Sequence, residues 1–299
     1  MLAVLVMHTV GAALLASTAA IADNVEQAES TQPLPQAPRV EAPKVADPNA
    51  KPRNIFDGNY LIIGAGVIMG PTSEGADHKV PLLAFGLMGR VRGIDIGARA
   101  GGFALDFIRD KPKAKFTWSV GPVIRLRGNP AKLPALTSPG TLKGTPEAGI
   151  ALGAQVHRLL DGYDTLSVGT DVRWDVSGKG TGRVISPSVS YVTPVSHAQV
   201  VGLTLSADHV DGKFASVSYS VNANGTITST LPAYSARSGW RSMGLRAYTA
   251  YDLDRNLTNG GFLVAAGVSW STLLGSAAQS PRILRKQQFT YGAIIAYAF

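Results

Sequence analysis

The sequence predicts an all-β protein, a transmembrane antiparallel β-barrel of about twelve strands, with 10–14 possible. Apolar and polar residues alternate over segments of about 10 to 15 residues, longer than the five or six usual in globular sheets. No stretch after residue 22 approaches the roughly 18 apolar residues of a membrane helix. The chain also ends on an alternating strand with aromatic residues at both of its ends. A chain that crosses lipid without helices must close its sheet.

The composition limits the possible functions. The 299 residues contain no cysteine, which excludes disulfides, thiolate metal sites and thiol nucleophiles. The net charge is +8, although only 16% of the residues are charged. The lysines and arginines are dispersed through apolar segments instead of forming one patch, so no nucleic-acid partner is expected.

The first 54 residues divide into two segments. Residues 1–22 carry no Asp, Glu, Lys or Arg and end in Ala20-Ile21-Ala22, the small-x-small pattern of a signal peptidase site. We therefore expect a cleaved signal peptide, with a membrane anchor as the alternative. Residues 23–54 hold six prolines and no aromatic residue, which predicts a disordered periplasmic tether. The barrel is expected to span 55–299.

Alternation identifies the strands of the barrel. In 164–176, one parity is apolar and the other carries Asp171, Arg173 and Asp175, as expected when successive side chains point to opposite faces. Eleven segments show this pattern clearly: 59–69, 81–91, 94–108, 116–128, 147–159, 164–177, 183–194, 198–208, 240–253, 260–272 and 289–299. Because bacterial single-chain barrels have even strand numbers, one strand is missing. The candidates are 214–221 or a division of the 81–108 region.

Charged residues on the polar faces are the candidate lumen residues. They are Asp95, Arg99, Arg125, Arg127, Asp171, Arg173, Asp175, Arg246 and Asp252. Charges of mixed sign can pair across strands and fill a narrow interior. The alternative is a water path with a bias toward anions.

The last strand carries the strongest single signal. Counted back from the C-terminus, every second residue is apolar or aromatic: Phe299, Tyr297, Ile295, Ala293, Tyr291 and Phe289. This pattern suits a terminal barrel strand with aromatic residues at both membrane interfaces. A chain that stops on an aromatic residue resembles the signal read by the bacterial outer-membrane assembly machinery. We expect Phe289, Tyr291, Ile295, Tyr297 and Phe299 to form that signal.

The connections between strands differ in length. The short links at 253–256 and 161–162 are expected to be periplasmic turns, and 129–146, 209–238 and 274–287 to be external loops. The last two loops could mediate adhesion. Their basic residues could equally pair with anionic lipopolysaccharide: Arg237, Arg241, Arg282, Arg285 and Lys286.

Catalysis is not expected. Asp77-His78 and Asp208-His209 place an acid beside a histidine. Strand neighbours point to opposite faces, and adjacency within a loop does not make a catalytic triad. The histidines are otherwise scattered, so no metal site or cofactor is predicted.

Three segments of the C-terminal third carry a family resemblance. They are Ser235-Ala-Arg-Ser-Gly-Trp-Arg-Ser-Met-Gly-Leu245, Gly267-Val-Ser-Trp-Ser-Thr-Leu-Leu-Gly-Ser-Ala-Ala-Gln-Ser-Pro-Arg282 and Gln288-Phe-Thr-Tyr-Gly292, followed by the terminal Phe299. The sequence resembles the MipA/OmpV family of outer-membrane proteins (MltA-interacting protein). The resemblance implies a scaffold that links a murein-degrading lytic transglycosylase to a peptidoglycan synthase of the penicillin-binding class. It also leaves porin-like and adhesive roles open.

Overall fold

Twelve antiparallel strands form a closed barrel in the computed structural model, which describes residues 54–111, 114–127, 145–178, 182–221 and 231–299. Neighbouring strands pair in chain order, and β12 closes onto β1. The strands are β1 (Tyr60–Pro71), β2 (Lys79–Val91), β3 (Ile94–Arg99), β4 (Gly102–Asp106), β5 (Phe116–Arg127), β6 (Thr145–His157), β7 (Thr165–Asp175), β8 (Arg183–Pro194), β9 (Gln199–Val210), β10 (Gly239–Asp252), β11 (Gly261–Leu273) and β12 (Gln287–Ala298). The expected twelve-stranded antiparallel barrel is confirmed.

Part of the predicted organisation lies outside the described residues. The signal peptide expected at 1–22 and the tether expected at 23–54, except its last residue, belong to that part. Most of the loop expected at 129–146 does so too. A short 3₁₀ helix at Ile55–Asp57 precedes β1 and buries Phe56.

The missing strand comes from a division of the 81–108 region. The segment 94–108 splits into β3 and β4 because the chain reverses at Gly101, whose φ of 77° favours glycine. The other candidate, 214–221, is wrong, because Gly212–Tyr219 form the helix α1. The Asp211 side chain caps this helix by accepting a hydrogen bond from the Phe214 N–H (2.8 Å).

The β3–β4 hairpin pairs with β2 over a short length only. Strand β1 pairs with β2 along twelve residues, but β2 pairs with β3 only from Gly89 to Val91. Ala100 at the hairpin tip lines a cavity together with the inward side chains of Arg246 and Tyr248, and the Leu126 N–H of β5 donates to the Gly101 carbonyl (2.8 Å). In the described part of the chain, strand pairing is therefore shortest on the two sides of this hairpin, because β4 also pairs with β5 only from Gly102 to Ala104.

The two ends of the barrel differ. Strand β1 begins and β12 ends at the same end, which carries short turns such as Arg92-Gly93. The other end carries α1 and a second short helix, α2 (Gly275–Ala278). Short turns mark the periplasmic side of outer-membrane barrels and longer loops the external side. This assigns α1 and α2 to the external end and Phe299 to the periplasmic end.

The interior has an apolar side and a polar side. Most members of the main apolar cluster lie on β1, β2 and β10–β12, among them Ile62, Ile294 and Ala296. Most buried polar residues of the strands lie on β5–β9, among them Glu147 and Arg173, although Arg241 and Asp252 of β10 are also buried. Outward side chains are apolar and exposed, as contact with lipid requires. No helix in the described residues is long and apolar enough to span a membrane.

Candidate functional site

The external mouth of the barrel is filled by a plug. Helix α1 directs Phe214 and Tyr219 inward, and these pack with Val184 and Val210 of the wall and with Ala277 of α2. Phe214 is 1% exposed and Tyr219 is fully buried. The Ser280 hydroxyl, which follows α2, donates to the Tyr219 carbonyl (2.6 Å). We call this unit, formed by α1, α2 and the residues packed on them, the external plug.

Charged side chains anchor the external plug to the wall. The guanidinium of Arg127 lies 4.3 Å from the Phe214 ring centroid, and that of Arg241 lies 5.5 Å from it. The Tyr219 hydroxyl donates to Glu74 (2.8 Å) in the β1–β2 loop. Burial and the Glu74 carboxylate raise the pKa of Tyr219 above its ordinary value, so the hydroxyl stays protonated as a donor.

An ion-pair network lies directly beneath this plug. Arg241 binds Glu74 (3.0 Å) and also pairs with Asp208. The Ser186 hydroxyl donates to the same Asp208 carboxylate. The network ties the β1–β2 loop to β8, β9 and β10, so it fixes the external end across the whole width of the barrel.

A second set of ion pairs crosses the β5–β7 wall. Arg173 is 2% exposed and binds Glu147 (3.1 Å) and Asp171 (3.4 Å). The other Glu147 oxygen binds Arg127 (2.8 Å), and Asp171 also binds Arg99 (3.0 Å). Each carboxylate is therefore shared by two arginines. Such an arrangement fills this part of the lumen with paired charges.

The remaining predicted lumen charges have different environments. Asp95 pairs with Arg90 (2.7 Å) at the periplasmic end. Asp175 accepts from the Ser177 N–H (2.7 Å), and Asp252 accepts from two N–H groups of the 253–256 turn. These two carboxylates therefore brace connections between strands. Arg125 and Arg246 face the interior.

A cavity of about 700 Å³ occupies the periplasmic half of the barrel. It extends from Phe56 and Tyr163 at the rim to Arg99 at its inner end. Asp110 lines the rim, where burial and the nearby charge of Asp106 raise its pKa to about 6. Asp110 is therefore expected to change its protonation state in mildly acidic conditions.

The periplasmic connection 158–164 presents apolar side chains to solvent. Leu160 is 81% exposed, and Leu159 and Tyr163 are also exposed. Buried Asp164 holds the loop by accepting from the Leu159 N–H (2.7 Å), the Leu160 N–H (2.8 Å) and the Tyr191 hydroxyl (2.8 Å). We call 158–164 the leucine loop. Its shape is fixed by a buried carboxylate, and its apolar side chains remain exposed.

The proposed assembly residues lie on the outer face of β12. They are Phe289, Tyr291, Ile295, Tyr297 and Phe299. At the periplasmic end, the rings of Tyr297 and Phe299 make an edge contact at 4.7 Å. At the other end, the Lys79 ammonium lies 5.1 Å from the Tyr291 ring centroid. The Phe299 N–H donates to the Leu61 carbonyl (2.8 Å), so pairing continues to the last residue.

Two of the basic residues assigned to the external surface are not available there. Arg241 is buried in the ion-pair network, and Arg282 donates to the carbonyls of Ser218 (3.2 Å) and Ser220 (3.5 Å). The sequence pattern did not reveal the partners of Arg241 and Arg282, because the external plug brings residues that are distant in sequence into contact with these arginines. The exposed basic residues of these two loops, within the described chain, are Lys213, Arg237, Arg285 and Lys286.

Neither of the two Asp-His sequence pairs places its two side chains together inside the barrel. Asp208 points inward to Arg241, whereas His209 packs edge-on against Trp240 (5.4 Å between ring centroids). Asp77 and His78 lie 3.6 Å apart in the exposed β1–β2 loop. No cluster of three potential metal-ligating side chains is present in the described ranges.

Sequence reasoning missed four residues that organise the interior: Glu74, Glu147, Asp208 and Arg241. Glu147 shares its parity with small inward residues of β6, which was a usable signal. Glu74 lies in a loop, so alternation gives no information about its direction. Arg241 lies within the register shift between Trp240 and Ser242, which interrupts simple alternation.

The chain is similar to several solved structures. The COG4313 outer-membrane channel from Pseudomonas putida F1 shares 13% identity, with 85% of this chain and 100% of that chain covered and a TM-score of 0.39. The Pseudomonas putida toluene transporter TodX shares 11% identity, with 81% and 89% covered and a TM-score of 0.35. For OmpT of Vibrio cholerae the identity is 7%, with 81% and 97% covered and a TM-score of 0.33.

No curated protein sequence matches the chain at a significant level. The family model described as MltA-interacting protein MipA matches residues 63–299, which is nearly the whole barrel. The match includes all three segments on which the resemblance rests. The chain therefore belongs to the MipA family and is an outer-membrane β-barrel.

Proposed function

We propose that this barrel is a scaffold that holds a lytic transglycosylase of the MltA class at the periplasmic face of the outer membrane. The family description names an interaction with MltA. By joining this hydrolase to a peptidoglycan synthase of the penicillin-binding class, the scaffold would place murein cleavage beside murein synthesis.

The leucine loop is the observation that carries this proposal. Exposed leucines on a braced periplasmic connection are typical of a surface that is covered by a partner. Three hydrogen bonds to Asp164 hold the loop in place before a partner arrives, which lowers the entropic cost of association. The flanking Arg158 and Asp161 provide a polar rim around the apolar centre.

The external plug favours a scaffold function rather than a channel function. The plug and the ion pairs beneath it occupy the external half of the lumen in the described structure. A protein that acts by presenting its periplasmic surface does not need an open lumen.

A binding measurement with purified proteins tests the proposal. The detergent-solubilised barrel is passed over an immobilised lytic transglycosylase of the MltA class, and Leu160→Asp is compared with the parent. We expect saturable binding by the parent and at least a tenfold loss in Leu160→Asp, as is typical for a central apolar contact. Val217→Asp is the matched control, because Val217 is exposed on α1 at the external end.

Two results would contradict the scaffold. One is the absence of parental binding to the transglycosylase, and the other is equal binding by both variants and the parent. A penicillin-binding synthase added in a second step tests the bridging role. Its retention only when barrel and transglycosylase are both present is the expected result.

A small-solute channel is the second candidate function, favoured by the periplasmic cavity of about 700 Å³. It requires the external plug to move. Steady single-channel currents of the purified protein in planar bilayers would support it, whereas silence favours the plugged scaffold. The adhesin alternative depends on exposed Arg237, Arg285 and Lys286, which are equally suited to lipopolysaccharide.

A further inference from the structure

Two lumen arginines lack the partners that the other inward arginines have. Within the described chain, Arg90, Arg99, Arg127, Arg173 and Arg241 each lie within ion-pair distance of a carboxylate. Arg125 and Arg246 make no ion pair and no side-chain hydrogen bond there. The Nε atom of each is shielded from solvent without a hydrogen-bond partner among the described residues; this is also true of Arg241, but Arg241 is paired through its other two nitrogens.

The absence of a partner for Arg125 follows from competition. Arg125 lies directly opposite Glu147 in the β5–β6 register. Both oxygens of Glu147 are already bound, one by Arg127 and the other by Arg173. Arginine cannot relieve its burial by losing a proton, because its pKa is too high. Arg125 therefore has no described carboxylate within ion-pair distance, although the charges of Asp208 and Glu147 act on it from farther away, and its own positive charge acts on Arg246.

Arg246 borders a cavity of about 200 Å³. Ser269 lies opposite Arg246 in the β10–β11 register, and Thr290 lies opposite Ser269 in the β11–β12 register. These three inward side chains thus form a row across adjacent strands. The two hydroxyls make no side-chain hydrogen bond to any described residue, so they are available as donors. Ala100, at the tip of the β3–β4 hairpin, lines the same cavity.

We propose that this cavity binds a small oxyanion, a carboxylate or a phosphate group, with Arg246 as its principal ligand and the Ser269 and Thr290 hydroxyls as further donors. The guanidinium fork matches the geometry of both anions. Arg125 strengthens the attraction through its charge. The cavity is large enough to hold a group of a few heavy atoms together with water. The proposed site does not depend on the scaffold function.

Titration calorimetry of the full-length protein, refolded in detergent micelles, tests the site. Sodium phosphate and sodium acetate are the probes, with sodium chloride added to keep the ionic strength constant. We expect saturable binding of at least one probe in the millimolar range or tighter. Binding of acetate but not phosphate would identify a carboxylate as the ligand, and the reverse would identify a phosphate.

Variants of the two arginines locate the binding. Arg246→Gln removes a charge-assisted hydrogen bond and should weaken binding by at least about tenfold. Arg125→Gln removes only a nearby charge, so it should weaken binding less, by about threefold. This difference in affinity from the parent should decrease with added salt. Arg285→Gln is the matched control, because Arg285 is exposed in the external loop and the net charge changes equally. It should leave the affinity unchanged.

A second measurement keeps the test decisive if Arg246→Gln folds poorly. Ser269→Ala and Thr290→Val are milder changes and should each weaken binding severalfold. The urea midpoint of the parent should rise with the bound probe, as required when a ligand binds only the folded state. Absence of parental binding for both probes, or equal affinity in the parent and the Arg246, Ser269 and Thr290 variants, would overturn the proposal.

Discussion

The external plug makes a sharp prediction about Phe214. Phe214→Ala removes a ring that is 1% exposed and packs on Tyr219, Val184 and Val210. The plug covers a mouth that faces water, so the energetics of soluble cores apply to it. Phe→Ala substitutions in such cores cost about 3–5 kcal/mol. The ring also loses its contact with the Arg127 guanidinium at 4.3 Å, which adds about 0.5–1 kcal/mol.

The lost free energy should favour local opening of the plug, and the barrel itself should stay folded. Strands β8 and β9 stay paired without α1, whereas α1 depends on its buried face. A loss of about 4 kcal/mol raises the opened population roughly a thousandfold. Trypsin reports this population at Lys213, which is exposed on α1. The cleavage rate at that bond should rise by up to about three orders of magnitude.

The assay compares cleavage after Lys213 in folded and urea-unfolded protein by mass spectrometry. The unfolded rate corrects for the changed residue after the scissile bond. Val217→Ala is the control, because Val217 lies on the exposed face of the same helix. Equal protection of Lys213 in both variants would refute the packing role assigned to Phe214.

Three further predictions concern the rest of the barrel. Deletion of Phe299, which extends the pairing of β12 with β1, should reduce heat-modifiable folded protein in the outer membrane far more than His209→Ala; normal levels of the truncated protein would contradict this. Arg173→Ala leaves two buried carboxylates short of a partner and should cost about 3–5 kcal/mol, measured as a lower urea midpoint at unchanged slope. An unchanged midpoint would show that the network is not structural. Asp110 should titrate near pH 6 by carboxyl NMR, and Asp106→Asn should lower that midpoint by removing a like charge. Because the folded pKa of Asp110 is raised from 3.8 to about 6, its contribution to stability is greatest below pH 3.8 and is lost as the pH rises through 6.

Local alternation in the sequence was enough for the strand pattern and the outer face. Each strand carries its own period of two, and lipid outside requires one parity to be apolar. The terminal strand is the clearest case, because Phe289 to Phe299 keep one parity along their whole length. Family membership also followed from local segments, in particular 235–245 and 267–282.

The tertiary structure decided which inward charges meet. The Arg241–Glu74 pair joins residues 167 positions apart, so no local pattern predicts it. Alternation gives the face of Arg125 but cannot show that Glu147 is already shared by Arg127 and Arg173. The α1 helix was missed for a similar reason. Its stability comes from packing against β8 and α2, and eight residues with one cap give too weak a signal by themselves.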